Sequence, residues 1–133
     1  MAHPYHHAVS SARTWGGKPE DYQAIHDFFD STKMVIADFR HRAGLHHAQG
    51  IFMAEQVFGH VLTNSAGRIV PVRLVGEQHV REDLGRIPSF ADWVRLIRPE
   101  PWMAPRSTID RDILEGGRIA SSGNVPRQCH TDC

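Results

Sequence analysis

The sequence predicts a mostly α fold of α+β class, a small helical bundle with a long central helix and one β-hairpin. Three observations carry this. Apolar residues recur at spacings of three and four in several separate segments between residues 4 and 97. Only residues 60–74 change period, with β-branched runs on either side of Asn64-Ser65-Ala66-Gly67. The middle of the chain carries Ala37, Gly44, Ala48 and Ala54, small side chains that let a second helix approach closely.

The first helix is expected over residues 4–15. Pro4 suits a first turn, Tyr5, Ala8, Val9 and Ala12 form one stripe, and Gly16-Gly17 stops it. Pro19, Glu20 and Asp21 open a second helix, with acids at its positive dipole end and Tyr22, Ile25, Phe28 and Phe29 as the buried stripe. Asp30-Ser31-Thr32 then offers N-caps for the long third helix, expected from about Lys33 to Phe58 and ended by Gly59. His60–Thr63 and Arg68–Leu74 flank the hairpin turn, and Pro71, which has no ladder donor, belongs on an edge. Helical spacing resumes at about Glu77 and stops at Gly85. Ser89 with Asp92 makes a capping box for a last helix to about Ile97. Pro99, Pro101 and Pro105 close a single His-rich domain, residues 1–105. Residues 106–133 turn polar and read as a flexible tail with one helical turn in DRDILEGG.

At 133 residues the chain suits one domain, and its 41% hydrophobic content is ordinary for a soluble protein. Fifteen basic and fifteen acidic side chains cancel, so no field of one sign advertises nucleic acid or an anionic membrane. There is no signal-like N-terminus and no long apolar run, which makes a cytoplasmic location the expectation. Cys129 and Cys133 both lie at the C-terminal end, so no disulfide is expected in the core.

Histidine is the outlier, with ten residues. In FRHRAGLHHAQG, residues 39–50, an unbroken helix would set His41 and His47 about 120° apart, flanking a groove floored by Gly44. His46 would then face solvent. Asp38, three residues before His41, could accept a ring N–H and strengthen the other nitrogen as a ligand. In GEQHVREDLG, residues 76–85, His79 and Asp83 are an i,i+4 pair on one face, and Glu77 on another is the candidate general base. His7 shares an i,i+4 edge with His3 at the first turn of helix one. Neutral imidazoles with carboxylates suit Zn, Mn or Fe, so the predicted ligands are His7, His41, His47, His79 and Asp83. His26-Asp27 formally follows the H…HD…D order of the HD phosphohydrolases but lacks their helix spacing. CHTDC, residues 129–133, is a weak candidate ligand cluster.

The opening MAHPYHHA, the central ADFRHRA and HHAQGIFMAEQVFG, and VRLVGEQHVREDLGRIPSFADWV with IRPEPWM resemble a family of small, uncharacterised bacterial and bacteriophage proteins, over about residues 1–104. That resemblance implies a compact bacterial or phage-encoded domain and no particular activity. Two functions are therefore expected as rivals. One is a His-rich protein that binds a divalent transition metal and hydrolyses small phosphate esters, with a metal-bound water and Glu77 moving its proton. The other is a non-enzymatic accessory protein that binds a protein partner through the hairpin edge and residues 99–105, its histidines being structural.

Overall fold

The computed structural model describes residues 3–104, which fall into two units parting between Arg95 and Leu96. Among the described residues, the second unit contributes one 3-10 turn, Pro101–Met103. The expected tail, its DRDILEGG turn and CHTDC lie outside the described residues. The first unit bears out the mostly α, α+β expectation: helices α1 (Pro4–Trp15), α2 (Gln23–Asp30), α3 (Ala48–Phe58), α4 (Val72–Leu84) and α5 (Phe90–Val94), with one hairpin, β1 (Val61–Thr63) and β2 (Ile69–Pro71). No helix among the described residues is long and apolar enough to cross a membrane.

Local chemistry sets most boundaries. The His3 ring caps α1 by accepting the Tyr5 N–H, and Gly16, at φ 87°, ends it. The second predicted helix divides at Tyr22 into a 3-10 turn, Pro19–Asp21, and α2. Tyr22 turns fully inward, and its hydroxyl donates to Gly16 O at 2.8 Å. β1 and β2 pair antiparallel with Leu62 opposite Val70 and Val61 opposite Pro71. Asn64 Oδ1 accepts from the N–H groups of Ala66 and Arg68, closing the turn, while its Nδ2 donates to Trp15 O and Tyr22 Oη.

Helix α4 starts five residues before the expected Glu77. Pro71 ends the ladder, and Val72, Val75, Gly76, His79 and Val80 follow at helical spacing, all buried. Val72 and Val75 suggest a strand by residue type, but their spacing of three belongs to a helix. Ser89 and Asp92 form the predicted capping box, and α5 ends at Val94, short of Ile97.

The long central helix from Lys33 to Phe58 does not exist. Its place is taken by two 3-10 turns, Ser31–Met34 and Phe39–Ala43, then a loop, then α3. Polar side chains break it. Asp38 accepts the Arg40 N–H and starts the second 3-10 turn, and Thr32 Oγ1 donates to His41 O at 2.7 Å. His47, with extended backbone, accepts the Gly50 N–H on Nδ1 and becomes the N-cap of α3. Gly50 is required where the chain folds back: a Cβ there would collide with the backbone carbonyl of Leu45. Gly50 thus seats the loop that precedes α3, while α3 itself packs against α4.

Helices α1, α2, α3 and α4 surround the core. Its apolar part is modest, built on Tyr22, Ile25, Phe29, Ile51 and the valines of β2 and α4. The largest fully buried side chains after Tyr22 and Phe29 are four histidines, His7, His26, His46 and His79. Gly76 makes this possible, since its Cα hydrogens lie against Phe29, which stacks on His79 with ring centroids 5.2 Å apart.

Candidate metal centre

Four segments deliver the buried polar groups. Helix α1 supplies His7. Helix α2 supplies His26 and Asp30, and α4 supplies His79 and Asp83, each pair at i,i+4 on one inward face. The broken segment between α2 and α3 supplies His41 and His46, which a continuous helix could not turn to the same side. Trp93 of α5 anchors that loop by donating Nε1–H to His46 O at 3.1 Å.

The inward atoms converge on two carboxylates. Asp83 Oδ2 lies 2.8 Å from His46 Nε2 and 3.3 Å from His79 Nε2, and Asp83 Oδ1 lies 3.3 Å from His7 Nε2. Asp30 Oδ1 lies 3.4 Å from His41 Nε2, 3.5 Å from His79 Nε2 and 3.8 Å from His46 Nε2. Ligand atoms of Asp30, His46, His79 and Asp83 all fall within 4.8 Å of one another, so this buried group could hold a metal ion. Bonds of about 2.0–2.1 Å place neighbouring ligands about 3.0 Å apart in an octahedron and about 3.4 Å apart in a tetrahedron, in the range of these separations. His7 Nε2, both Asp30 oxygens, His41 Nε2 and His79 Nε2 are buried without a hydrogen-bond partner among the described residues.

The outward nitrogens explain why the inward ones are free. His7 Nδ1–H donates to Glu82 Oε1 at 2.7 Å, and His41 Nδ1–H to Asp38 O at 2.9 Å. His79 is set by a longer chain. Gln78 Nε2 donates to His7 O, so its Oε1 is the acceptor for the Ser11 hydroxyl at 2.6 Å. The Ser11 oxygen then accepts His26 Nε2–H at 2.8 Å, which leaves His26 Nδ1 to accept His79 Nδ1–H at 3.0 Å. Each step fixes the tautomer of the next, and the last presents the Nε2 lone pair of His79 to the carboxylates.

Burial, reinforced by His79 and His7, pushes the His26 pKa down to about 2, so its ring is neutral, as the chain requires. Burial alone would raise Asp30, yet the facing His79 imidazole, with Lys33 and His46, brings it down to about 2. Asp83 is likewise held well below the carboxylate range, because the facing imidazoles of His46, His7 and His79 overcome its desolvation. Burial lowers His46. His7 moves the other way: Asp83 and Glu82 together outweigh its desolvation and raise it. Two carboxylates held in the ionised range face imidazole nitrogens in the interior, a donor set that could hold a metal ion.

Of the predicted ligands, the structure brings His7, His41, His79 and Asp83 together. It does not bring His47: both its ring nitrogens serve the backbone, Nδ1 accepting from Gly50 and Nε2 donating to Gly44 O. Its neighbour His46, expected in solvent, is fully buried and faces the carboxylates. Asp38 supports His41 through its backbone carbonyl, whereas its carboxylate pairs with Arg40, which holds it down to about 2. Glu77 is not at the cluster. It binds Arg73 at 2.6 Å and lines a separate surface cavity of about 260 Å³ with Arg73, Glu55 and Ile87. Asp27, of the HD dipeptide, accepts from Gln23 on an exposed face. Asp30 and His26 were absent from the predicted set, although their spacing repeats that of His79 and Asp83.

Residues 2–103, which contain every group named here, match the family described as Domain of unknown function (DUF6915). The chain belongs to that family. No curated protein and no solved structure matches it. The family span holds all four segments of the cluster and stops before the polar residues 106–133.

Proposed function

We propose that the protein binds a divalent transition metal, Zn, Mn or Fe by donor type, through Asp30, His46, His79 and Asp83. The convergence of unpartnered, buried nitrogen and oxygen atoms on one point carries this reading. A buried polar atom without a partner costs about 1–3 kcal/mol, more when charged, and here several face one another. If the histidines of an accessory protein of bacterial or phage origin were purely structural, these atoms would be paired within the chain. A cation coordinated by them removes the penalty at once.

Elemental analysis of the untagged, freshly purified full chain tests this, alongside His46→Ala and Asp83→Asn. The expected result is near-stoichiometric metal in the wild type and a loss of at least tenfold in both variants, with helical circular dichroism retained. A wild type that stays metal-free after dialysis against Zn²⁺, Mn²⁺ and Fe²⁺ in turn would sink the proposal.

A second reading, metal-dependent hydrolysis of a small phosphate ester, is favoured by two cations beside the carboxylates. Arg42 Nη2 lies 3.7 Å from Asp83 Oδ1 and Lys33 Nζ lies 3.6 Å from Asp30 Oδ2, both side chains part-exposed. They are suited to receive an anion whose oxygen the metal polarises. Glu77 has no part in this version. Metal-loaded protein that releases phosphate from simple aryl phosphates, with the rate reduced in Arg42→Ala, is the expected result, and an inactive loaded protein removes the reading.

A further inference from the structure

The cluster is longer than one ion. Within 4.0 Å, His41 Nε2 reaches Asp30 but not Asp83, and His7 Nε2 reaches Asp83 but not Asp30. Neither belongs to the four-residue group whose ligand atoms all lie within 4.8 Å. One ion with bonds of about 2.1 Å spans no more than about 4.2 Å between opposite ligands, and the central four residues already supply a four-coordinate set. Yet His7 and His41, at opposite ends, carry the marks of ligands. Each is almost fully buried, at 1% and 2% exposure, each has its Nδ1–H taken by an oxygen, and each has an unpartnered Nε2 aimed inward. The four imidazoles form a row, with centroids 4.0 Å apart from His7 to His79, 4.9 Å from His79 to His46 and 5.5 Å from His46 to His41. Two carboxylates lie beside this row, Asp83 towards the His7 end and Asp30 towards the His41 end, and both contact the middle pair.

We propose that the cluster holds two cations, one with His7 as its end ligand and one with His41, sharing Asp30 and Asp83 between them. This rests on the metal-binding reading and adds a stoichiometry and two ligand assignments to it. Two ions use the three unpartnered imidazole nitrogens, the His46 Nε2 that otherwise bonds Asp83 at 2.8 Å, and both carboxylates, whereas one ion leaves both end histidines buried and unpartnered. Carboxylates bridge close cations readily because each has two oxygens, and Asp83 already presents Oδ2 to His46 and His79 and Oδ1 to His7.

Titration of the metal-stripped full chain with Mn²⁺, followed by electron paramagnetic resonance, tests this. The expected wild-type result is two bound equivalents and a final spectrum broadened by coupling between neighbouring ions. His7→Ala and His41→Ala should each bind one equivalent and give the sharp spectrum of an isolated ion. One uncoupled equivalent in the wild type, unchanged in both variants, overturns the two-ion proposal and leaves the metal-binding reading intact. Two equivalents without coupling, or two that survive both substitutions, also overturn it. No bound Mn²⁺, Zn²⁺ or Fe²⁺ overturns both. Should either variant fail to fold, the wild-type coupling alone decides.

Discussion

Two adjacent histidines do different work, and the backbone decides which. His46 ends the loop with its ring among the carboxylates, while one residue later His47 has extended backbone and turns its ring to the first turn of α3. His47→Ala should therefore remove a helix cap and lower stability by about 1 kcal/mol while leaving bound metal unchanged. His46→Ala should release the metal. Denaturant midpoints and metal content on the pair check this, and metal loss in His47→Ala would show the two roles to be wrongly divided. The sequence could not separate them. On a continuous helix His47 faces the groove and His46 faces solvent, so the error in the helix reversed both residues. His79 and Asp83 were legible because α4 is a regular helix and i,i+4 spacing there means proximity. His7 was named for its i,i+4 spacing to His3, yet His3 stays exposed as the N-cap of α1, and His7 reaches the cluster without it.

At the scale of elements, the chain was readable wherever one local signal dominated. Gly16, Gly59 and Gly85 end helices as expected, and the Ser89–Asp92 box starts α5. Reading failed across residues 31–47, where periodic apolar residues coexist with side chains that bond the backbone. Asp38, Thr32 and His47 each take a backbone group that a helix would have used, and together they win. A similar side-chain tie joins two elements elsewhere. Asp21 Oδ2 accepts from the Lys18 N–H at 2.8 Å and from the Ser65 N–H and hydroxyl at 2.9 and 2.8 Å, linking the turn before α2 to the hairpin. The Lys18 backbone hydrogen bond, then those from Ser65, lower its pKa below the ordinary aspartate value. With the folded value depressed, this stabilisation is complete above the unfolded pKa and is lost as pH falls through the folded one. Urea midpoints of the wild type and Asp21→Asn should differ by a constant amount between about pH 5 and 7, and the gap should close below about pH 3. A gap that persists undiminished in acid would mean the carboxylate charge is not what holds the hairpin.

At the scale of the whole molecule, the interior is part hydrocarbon and part imidazole. Valines, Phe29, Ile25 and Ile51 supply the dry packing, and the seven-group cluster from His7 to Asp83 occupies the space between α1, α2 and α4. Hydrophobic burial offsets chain entropy here with less margin than an all-apolar core of the same volume, because imidazole and carboxylate gain little from leaving water. A ligand that binds only the folded arrangement would add directly to that margin. The cluster draws residues far apart in the chain, His7 and Asp83, so an ion with His7 as its end ligand would clamp α1 to α4 across the 75 residues between them. Saturation at about a hundred times the dissociation constant adds about 2.7 kcal/mol, which for a domain near this size raises the melting temperature by about 10 °C. Differential scanning calorimetry of the full chain, chelated and reloaded with Zn²⁺ or Mn²⁺, should show that rise, increasing with free metal concentration. In Asp83→Asn the two scans should coincide. A wild-type melting temperature indifferent to chelation and reloading would mean that the fold carries its buried histidines without a cation.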